Sequence, residues 1–225
     1  MAYIKHSLLL TTFIFASMAV AATPEDDDFV FPDDDLEQRI AAVNEGPLHF
    51  METAANDNVL RSENFITITT GSLSDGWVKL QQCYQNLDPI GKTEIIYHYK
   101  SMKDLRIVSF SNISSAKVVN QSVQLEDIEP GARLCVSADI RNFYKQSDNT
   151  YSLISGPYHR KFFDGYYPLN VYLEITYPKD WLSVITVTPI AQTGFTLNLE
   201  QHRIRIDALF EGKLTTEIKF AVVDK

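Results

Sequence analysis

From residue 47 to the C-terminus, apolar and polar side chains alternate along most of the chain. The segment 169–177 is the clearest example, because single, mostly polar residues separate its apolar ones. A period of two places alternate side chains on opposite faces of an extended strand. Pairs such as Asp75-Gly76 and Glu211-Gly212 separate the alternating segments and favour turns. The pattern therefore predicts an all-β protein.

Turn signals recur at short intervals in both halves of this region, and each half contains about seven strand candidates. Short strands at such spacing are typical of β-sandwiches. We therefore expect two sandwich domains of immunoglobulin-like architecture, one at 47–140 that contains both cysteines and one at 141–225. A single larger sandwich is the alternative.

The first 22 residues follow another pattern, in which a short charged head precedes the apolar run LLLTTFIFASMAV and small residues close the segment. This arrangement is typical of a cleavable signal peptide, with cleavage after Ala21 or Ala22. The apolar run is too short to span a bilayer. We expect an exported protein, periplasmic or secreted, that has no stable membrane insertion after cleavage.

The formal net charge of −9 is concentrated in the segment after the signal peptide, since residues 23–38 contain eight carboxylates. The remainder of the chain is nearly neutral and has no basic stripe, which argues against a nucleic-acid partner. The range 23–46 is predicted to be an acidic, disordered tail followed by a short helix that Asp35 caps. Phe29 and Phe31, framed by aspartates, form a hypothetical docking tail, and the alternative is a solubilising segment.

Cys83 and Cys135 are the two cysteines of the chain. An exported protein meets an oxidising compartment, so we expect a disulfide between them. Both have odd numbers, whereas the apolar residues around them, such as Leu80 and Leu134, have even numbers. The bond is therefore predicted to join two strands on an outer face. Trp77 precedes Cys83, contrary to the antibody-type order.

The segment 156–168 is the most unusual part of the body, because aromatic and basic residues are concentrated in it. Aromatic and arginine side chains contribute much of the binding energy at interfaces. Inward packing with the cationic ends reaching water is the alternative. The hypothetical binding surface consists of Tyr158, His159, Arg160, Phe162, Phe163, Tyr166 and Tyr167.

Residue patterns for catalysis or metal binding are weak. The histidines outside the signal peptide are isolated from one another, so we expect no metal site and no cofactor. Four carboxylates of the second half could serve a glycosidase, namely Glu174, Asp207, Glu211 and Glu217. Of these, Glu174, Asp207 and Glu217 lie between apolar neighbours at outward strand positions. Solvated carboxylates on an outer face are the preferred interpretation.

Together these features favour an exported, non-enzymatic binding protein whose partner is an envelope or secreted protein. Two alternatives remain open from the sequence. The first is a β-sandwich hydrolase that acts on carbohydrate or ester substrates, and the second is a structural component of the envelope.

Overall fold

The computed structural model describes residues 46–53, 58–97, 99–147, 149–162 and 165–223. Most of these residues lie in β-strands, which confirms the all-β prediction. The one helix within these ranges is α1 (Ser72–Asp75). The strands are β1 (His49–Phe50), β2 (Leu60–Thr67), β3 (Trp77–Leu87), β4 (Lys92–Ile96), β5 (Met102–Val119), β6 (Ser122–Arg141), β7 (Phe143–Ser147), β8 (Thr150–Tyr158), β9 (Lys161–Phe162), β10 (Gly165–Tyr166), β11 (Leu169–Thr176), β12 (Leu182–Thr188), β13 (Phe195–Glu200), β14 (Arg203–Glu211) and β15 (Leu214–Val222).

A nine-stranded sheet is the larger of the two principal sheets. Its main order is β1-β14-β11-β2-β3-β6-β4, and β13 adds to β14 while β5 adds to β6. Strands β2 and β11 pair in parallel, from Leu60 opposite Leu169 to Thr67 opposite Thr176. Strands β5 and β6 form a long antiparallel hairpin.

A four-stranded sheet, in the order β12-β15-β8-β7, completes the sandwich. Buried side chains from both sheets form the main core, for example Leu173 of the large sheet and Phe220 of the small one. A second, smaller core lies along the β5–β6 hairpin and includes Val123 and Leu134. Alternation gives strands such as β11 and β14 one buried apolar face, as expected.

The large sheet continues across the boundary predicted at residue 140. Strand β2 belongs to the range 47–140 and β11 to the range 141–225, yet the two strands are hydrogen-bonded neighbours. The main core also contains residues of both ranges. The pairing of β2 with β11 therefore joins the two predicted ranges by hydrogen bonds within one sheet. Alternation along a strand gives its two faces but not its neighbours, so the pattern contains no information about this pairing.

The disulfide joins Cys83 of β3 to Cys135 of β6, which confirms the predicted bond. The two residues lie directly opposite each other in the antiparallel pair, and their Cα atoms are 4.1 Å apart. The neighbouring Leu80, Leu134 and Val136 are buried in the cores, so the cysteines point to the other face of the sheet. The bond is thus a cross-strand link, as the residue parity indicated.

Several expectations fall on residues outside the described ranges. These are the signal peptide at 1–22, the tail and helix at 23–46 apart from its last residue, and the docking residues Phe29 and Phe31. In the part of the chain that the structure describes, no helix has the length and apolar character needed to cross a membrane.

Candidate functional site

A cleft of about 430 Å³ opens at one end of the large sheet, next to the first residues of β2 and β11. Residues 93–96 of β4 and the following Tyr97 line it. Residues 156–162, which run from the end of β8 to β9, also line it. Tyr84, Tyr97, Tyr99 and Tyr158 also line this cavity, which we call the tyrosine cleft. Its size lies in the range of small-ligand pockets.

The four tyrosines give the cleft an apolar lining that still has polar groups. Tyr97 and Tyr158 are buried, and Tyr84 and Tyr99 are half-buried. Burial raises the pKa of all four side chains above the usual value for tyrosine, to about 12 for Tyr158. The hydroxyls are therefore protonated at neutral pH, and the cleft has no charge from these groups.

A buried amide adds a specific polar group to the cleft. Gln82 is 4% exposed, and its Nε2 donates a hydrogen bond of 3.0 Å to the Oγ of Ser62. Both residues line the cleft. The Oε1 of Gln82 has no hydrogen-bond partner among the described residues. A buried acceptor without a partner costs about 1–3 kcal/mol, which a donor that reached this oxygen would recover.

The loop beside the cleft is held by Arg160. Its Nε donates to Oδ2 of Asp88 at 3.0 Å, and its Nη2 bonds Oδ1 of the same carboxylate. Its Nη1 also donates to the carbonyl oxygen of Pro168 at 3.3 Å. Arg160 therefore ties the loop both to the connection between β3 and β4 and to the residue before β11.

Gly156 lies in β8 where the pairing with β15 is irregular, between Ser155 and Tyr158. Its φ angle is +105°, which lies in the region that favours glycine. A Cβ atom at this position would lie 2.5 Å from the carbonyl oxygen of Leu214. No other residue type fits there without displacement of the backbone.

The structure divides the predicted binding residues between two environments. Tyr158 is buried, and His159, Arg160 and Phe162 line the cleft with it. The remaining described members form a small aromatic cluster on the adjoining hairpin of β9 and β10. Rings of Phe162 and Tyr167 lie 5.2 Å apart edge to face, and Tyr166 lies against His159 at 6.3 Å. Phe163 lies outside the described residues.

The sequence analysis did not find Gln82, Tyr84, Tyr97 or Tyr99 as members of a site. Each is far from residues 156–162 along the chain, and only the fold brings them together. One signal was present in β3, where Gln82 follows Val78 and Leu80 in the row of core-facing positions. A polar residue in an apolar row indicates either a buried hydrogen-bond network or a site.

Two of the carboxylates that could have served a hydrolase, Glu174 and Asp207, are engaged on the outer face of the large sheet. Glu174 pairs with Arg205 at 3.0 Å and with Arg203 at 3.5 Å, and Asp207 pairs with Arg61 at 3.1 Å. Burial alone would raise the pKa of Glu174. Hydrogen bonds from Arg205 and Tyr172 and the two arginine charges outweigh it and lower that pKa below its usual value.

Among the described residues, no group of three or more potential metal-binding side chains is found.

Glu217 belongs to the small sheet and accepts a hydrogen bond of 2.8 Å from Ser152. It is thus also engaged with a neighbour, on the sheet opposite to that of Glu174.

No protein-family model matches the chain, and no curated protein sequence matches it. Weak structural matches include the M1 zinc metallopeptidase from Deinococcus radiodurans, at 11% identity and a TM-score of 0.39. A mutant of that peptidase bound to a Tyr-Ser-Ala substrate matches at 10% identity and a TM-score of 0.42. Each match covers 72% of the present chain and 42% of the peptidase chain. Similarity at this level indicates nothing about the activity of the present protein.

Proposed function

We propose that this chain is an exported binding protein without catalytic activity, and that its ligand occupies the tyrosine cleft. The observation that carries the proposal is the buried amide oxygen of Gln82, which has no hydrogen-bond partner in the described part of the chain and belongs to a residue that lines the tyrosine cleft. Buried polar groups in folded proteins are rarely left unpaired. An apolar cleft with a few convergent polar groups is the usual form of a binding site.

Export is supported by two features of different kinds. The disulfide between Cys83 and Cys135 is of the type that persists in oxidising compartments. The sequence of residues 1–22 has the pattern of a signal peptide. A periplasmic or secreted location follows from these features as part of the proposal.

The state of the outer-face carboxylates supports binding over hydrolysis. A glycosidase needs one carboxyl group that stays protonated to act as the acid. The pKa of Glu174 is lowered, and its arginine partners favour the charged form. A panel of glycoside and ester substrates should therefore show no turnover. Turnover that disappears in Glu174→Gln would replace the binding role with a hydrolytic one.

The central experiment compares two substitutions of isoleucine by tryptophan. Ile95 is half-buried and lines the cleft, so Ile95→Trp should fill part of the cavity. Ile185 is 50% exposed in β12 of the small sheet, so Ile185→Trp is the matched control. Each protein is immobilised and exposed to native envelope extract, and retained proteins and small molecules are identified by mass spectrometry.

The expected result is at least one component that the unmodified chain and Ile185→Trp retain and that Ile95→Trp does not. Thermal unfolding of the three proteins checks that the variants are folded. Identical sets of retained components for all three folded proteins would contradict the assignment of the binding site to the cleft.

A further inference from the structure

The cleft is bordered by an edge of β4, as distinct from one of its faces. Consecutive residues from Thr93 to Tyr97 all line the cavity. Side chains of neighbouring residues in a strand point to opposite faces. A cavity lined by every residue of such a run must therefore lie alongside the strand, next to its backbone.

The backbone of β4 has hydrogen-bonding groups on this edge without partners among the described residues. Its other edge pairs antiparallel with β6, and Tyr97 N–H donates to the carbonyl oxygen of Gln121 at 3.0 Å. In antiparallel pairs, successive residues direct their N–H and C=O groups to opposite edges. The groups of Lys92, Glu94 and Ile96 therefore point away from β6.

The free edge lies where the large sheet has a gap. Strand β2 covers β3 from Lys79 to Gln85, but no described strand covers the corresponding edge of β4. Residues 156–162 stand on the other side of the cleft. An unpaired strand edge is a template for the addition of another strand.

We infer that the tyrosine cleft accepts an extended segment of a partner polypeptide, which adds as a strand to β4 and inserts an apolar side chain among the tyrosines. This inference rests on the proposed function of the cleft and names its ligand class. Backbone groups of the segment would pair with those of Lys92, Glu94 and Ile96. Strand addition of this kind derives affinity from main-chain hydrogen bonds and specificity from pockets for alternate side chains.

The charges at the cleft favour an uncharged segment. Arg160 is paired with Asp88, Glu94 accepts a hydrogen bond from Ser122, and Lys161 lies over the ring of Tyr166 at 5.6 Å. The two anions Asp88 and Glu94 and the two cations Arg160 and Lys161 in the lining balance in formal charge, so the cleft offers little net attraction for an ionic ligand. Ile96 and Phe162, which are 56% and 41% exposed, provide apolar contacts at the rim.

The test uses synthetic peptides of about seven residues, a typical strand length, in which valine, isoleucine or phenylalanine alternates with threonine. One set is unmodified, a second is N-methylated at every other residue, and a third is N-methylated at the intervening residues. A strand added to β4 directs alternate N–H groups toward it, so only one N-methylated set should lose binding. Binding to the full chain is measured by isothermal titration calorimetry.

Two substitutions at the same position test the protein side. The N–H of Glu94 faces away from β6, so Glu94→Pro removes an edge donor without removing a bond to β6. Glu94→Thr keeps the N–H and removes the same carboxylate, and it is the matched control. We expect Glu94→Pro and one N-methylated set to weaken peptide binding by about tenfold or more, and Glu94→Thr to bind like the unmodified chain.

Equal binding of both N-methylated sets, or equal binding by Glu94→Pro and Glu94→Thr, would overturn the inference. Absence of peptide binding, together with loss of extract components in Ile95→Trp, would also overturn it but leave the proposed function intact. Binding seen only after removal of residues 23–45 would assign the edge to the chain's own segment. Self-association abolished by Glu94→Pro would assign it to a second copy, and both outcomes would exclude a partner polypeptide.

Discussion

Among single residues, Arg160 determines the position of the loop beside the cleft. It is 18% exposed and makes two hydrogen bonds to Asp88, so its charge is partly removed from water. Hydrogen bonds to charged groups contribute about 1.5–3 kcal/mol when they are sheltered. We predict that Arg160→Ala lowers the free energy of unfolding by about 1–3 kcal/mol, as measured by urea unfolding.

Lys92 provides the control for this prediction. It pairs with Glu126 at 3.5 Å, but its side chain is 81% exposed. Exposed ion pairs contribute less than about 1 kcal/mol, so Lys92→Ala should change the unfolding free energy by less than Arg160→Ala does. Equal effects of the two substitutions would show that the pair with Asp88 does not hold the loop.

Tyr158 predicts how stability depends on alkaline pH. Burial raises its pKa in the folded protein to about 12, from a usual value of 10.0. Between these values the unfolded chain loses this proton and the folded chain retains it, so the stability contribution is complete below pH 10 and is lost as the pH approaches 12. Urea unfolding at several pH values should show a steeper decline for the unmodified chain than for Tyr158→Phe.

The phenylalanine variant also loses the hydrogen bond between the hydroxyl of Tyr158 and Ser155, which is 2.6 Å long. It should therefore be less stable at neutral pH by about 1 kcal/mol. The two proteins are compared by how steeply the free energy of unfolding falls with pH. A constant difference in stability between them does not change that slope. Identical slopes for the two proteins would mean that Tyr158 is not sheltered from water.

Among the elements, β3 and β6 are joined by the disulfide between Cys83 and Cys135. The bond closes a loop with a sequence separation of 52 residues. In the chain-entropy model such a loop destabilises the unfolded state by roughly 4 kcal/mol. Replacement of both Cys83 and Cys135 by serine should lower the unfolding free energy by an amount of this order. A loss below about 1 kcal/mol in urea would contradict the entropic account.

The alternation of side chains predicted that the body consists of strands because it reports directly on their two faces. In β11, residues from Leu169 to Ile175 alternate between buried and half-buried, as expected. The parallel pairing of β11 with β2 was not predictable in this way, since many partners satisfy the same pattern. The sequence pattern did not predict the free edge of β4 for the same reason.

For the candidate site, composition identified one part and missed the other. The concentration of aromatic residues at 156–168 pointed to a segment that lines the cleft through Tyr158, Arg160 and Phe162. Tyr97 and Tyr99 lie near β4, and nothing local relates them to that segment. A site formed by the convergence of distant strands requires the sheet order, which the sequence pattern does not contain.

At the scale of the whole molecule, the shared sheet predicts one cooperative unfolding transition. Trp77 lies in β3, and Trp181 immediately precedes β12 in the small sheet. The variants Trp77→Phe and Trp181→Phe each keep a single tryptophan, whose intrinsic fluorescence reports unfolding. After correction for the stability change that each substitution causes, the two tryptophans should report the same transition. Circular dichroism of the same samples checks this result. Two separated transitions in one variant would indicate two independent sandwiches.

The measurement that tests the central claim most directly is amide hydrogen exchange of the full chain, with and without the envelope fraction eluted from the immobilised protein. If the ligand occupies the tyrosine cleft, exchange should slow in residues 92–97 and 156–162 and stay unchanged in residues 182–188 of the small sheet. Slower exchange at 182–188 with none at the cleft would contradict the account.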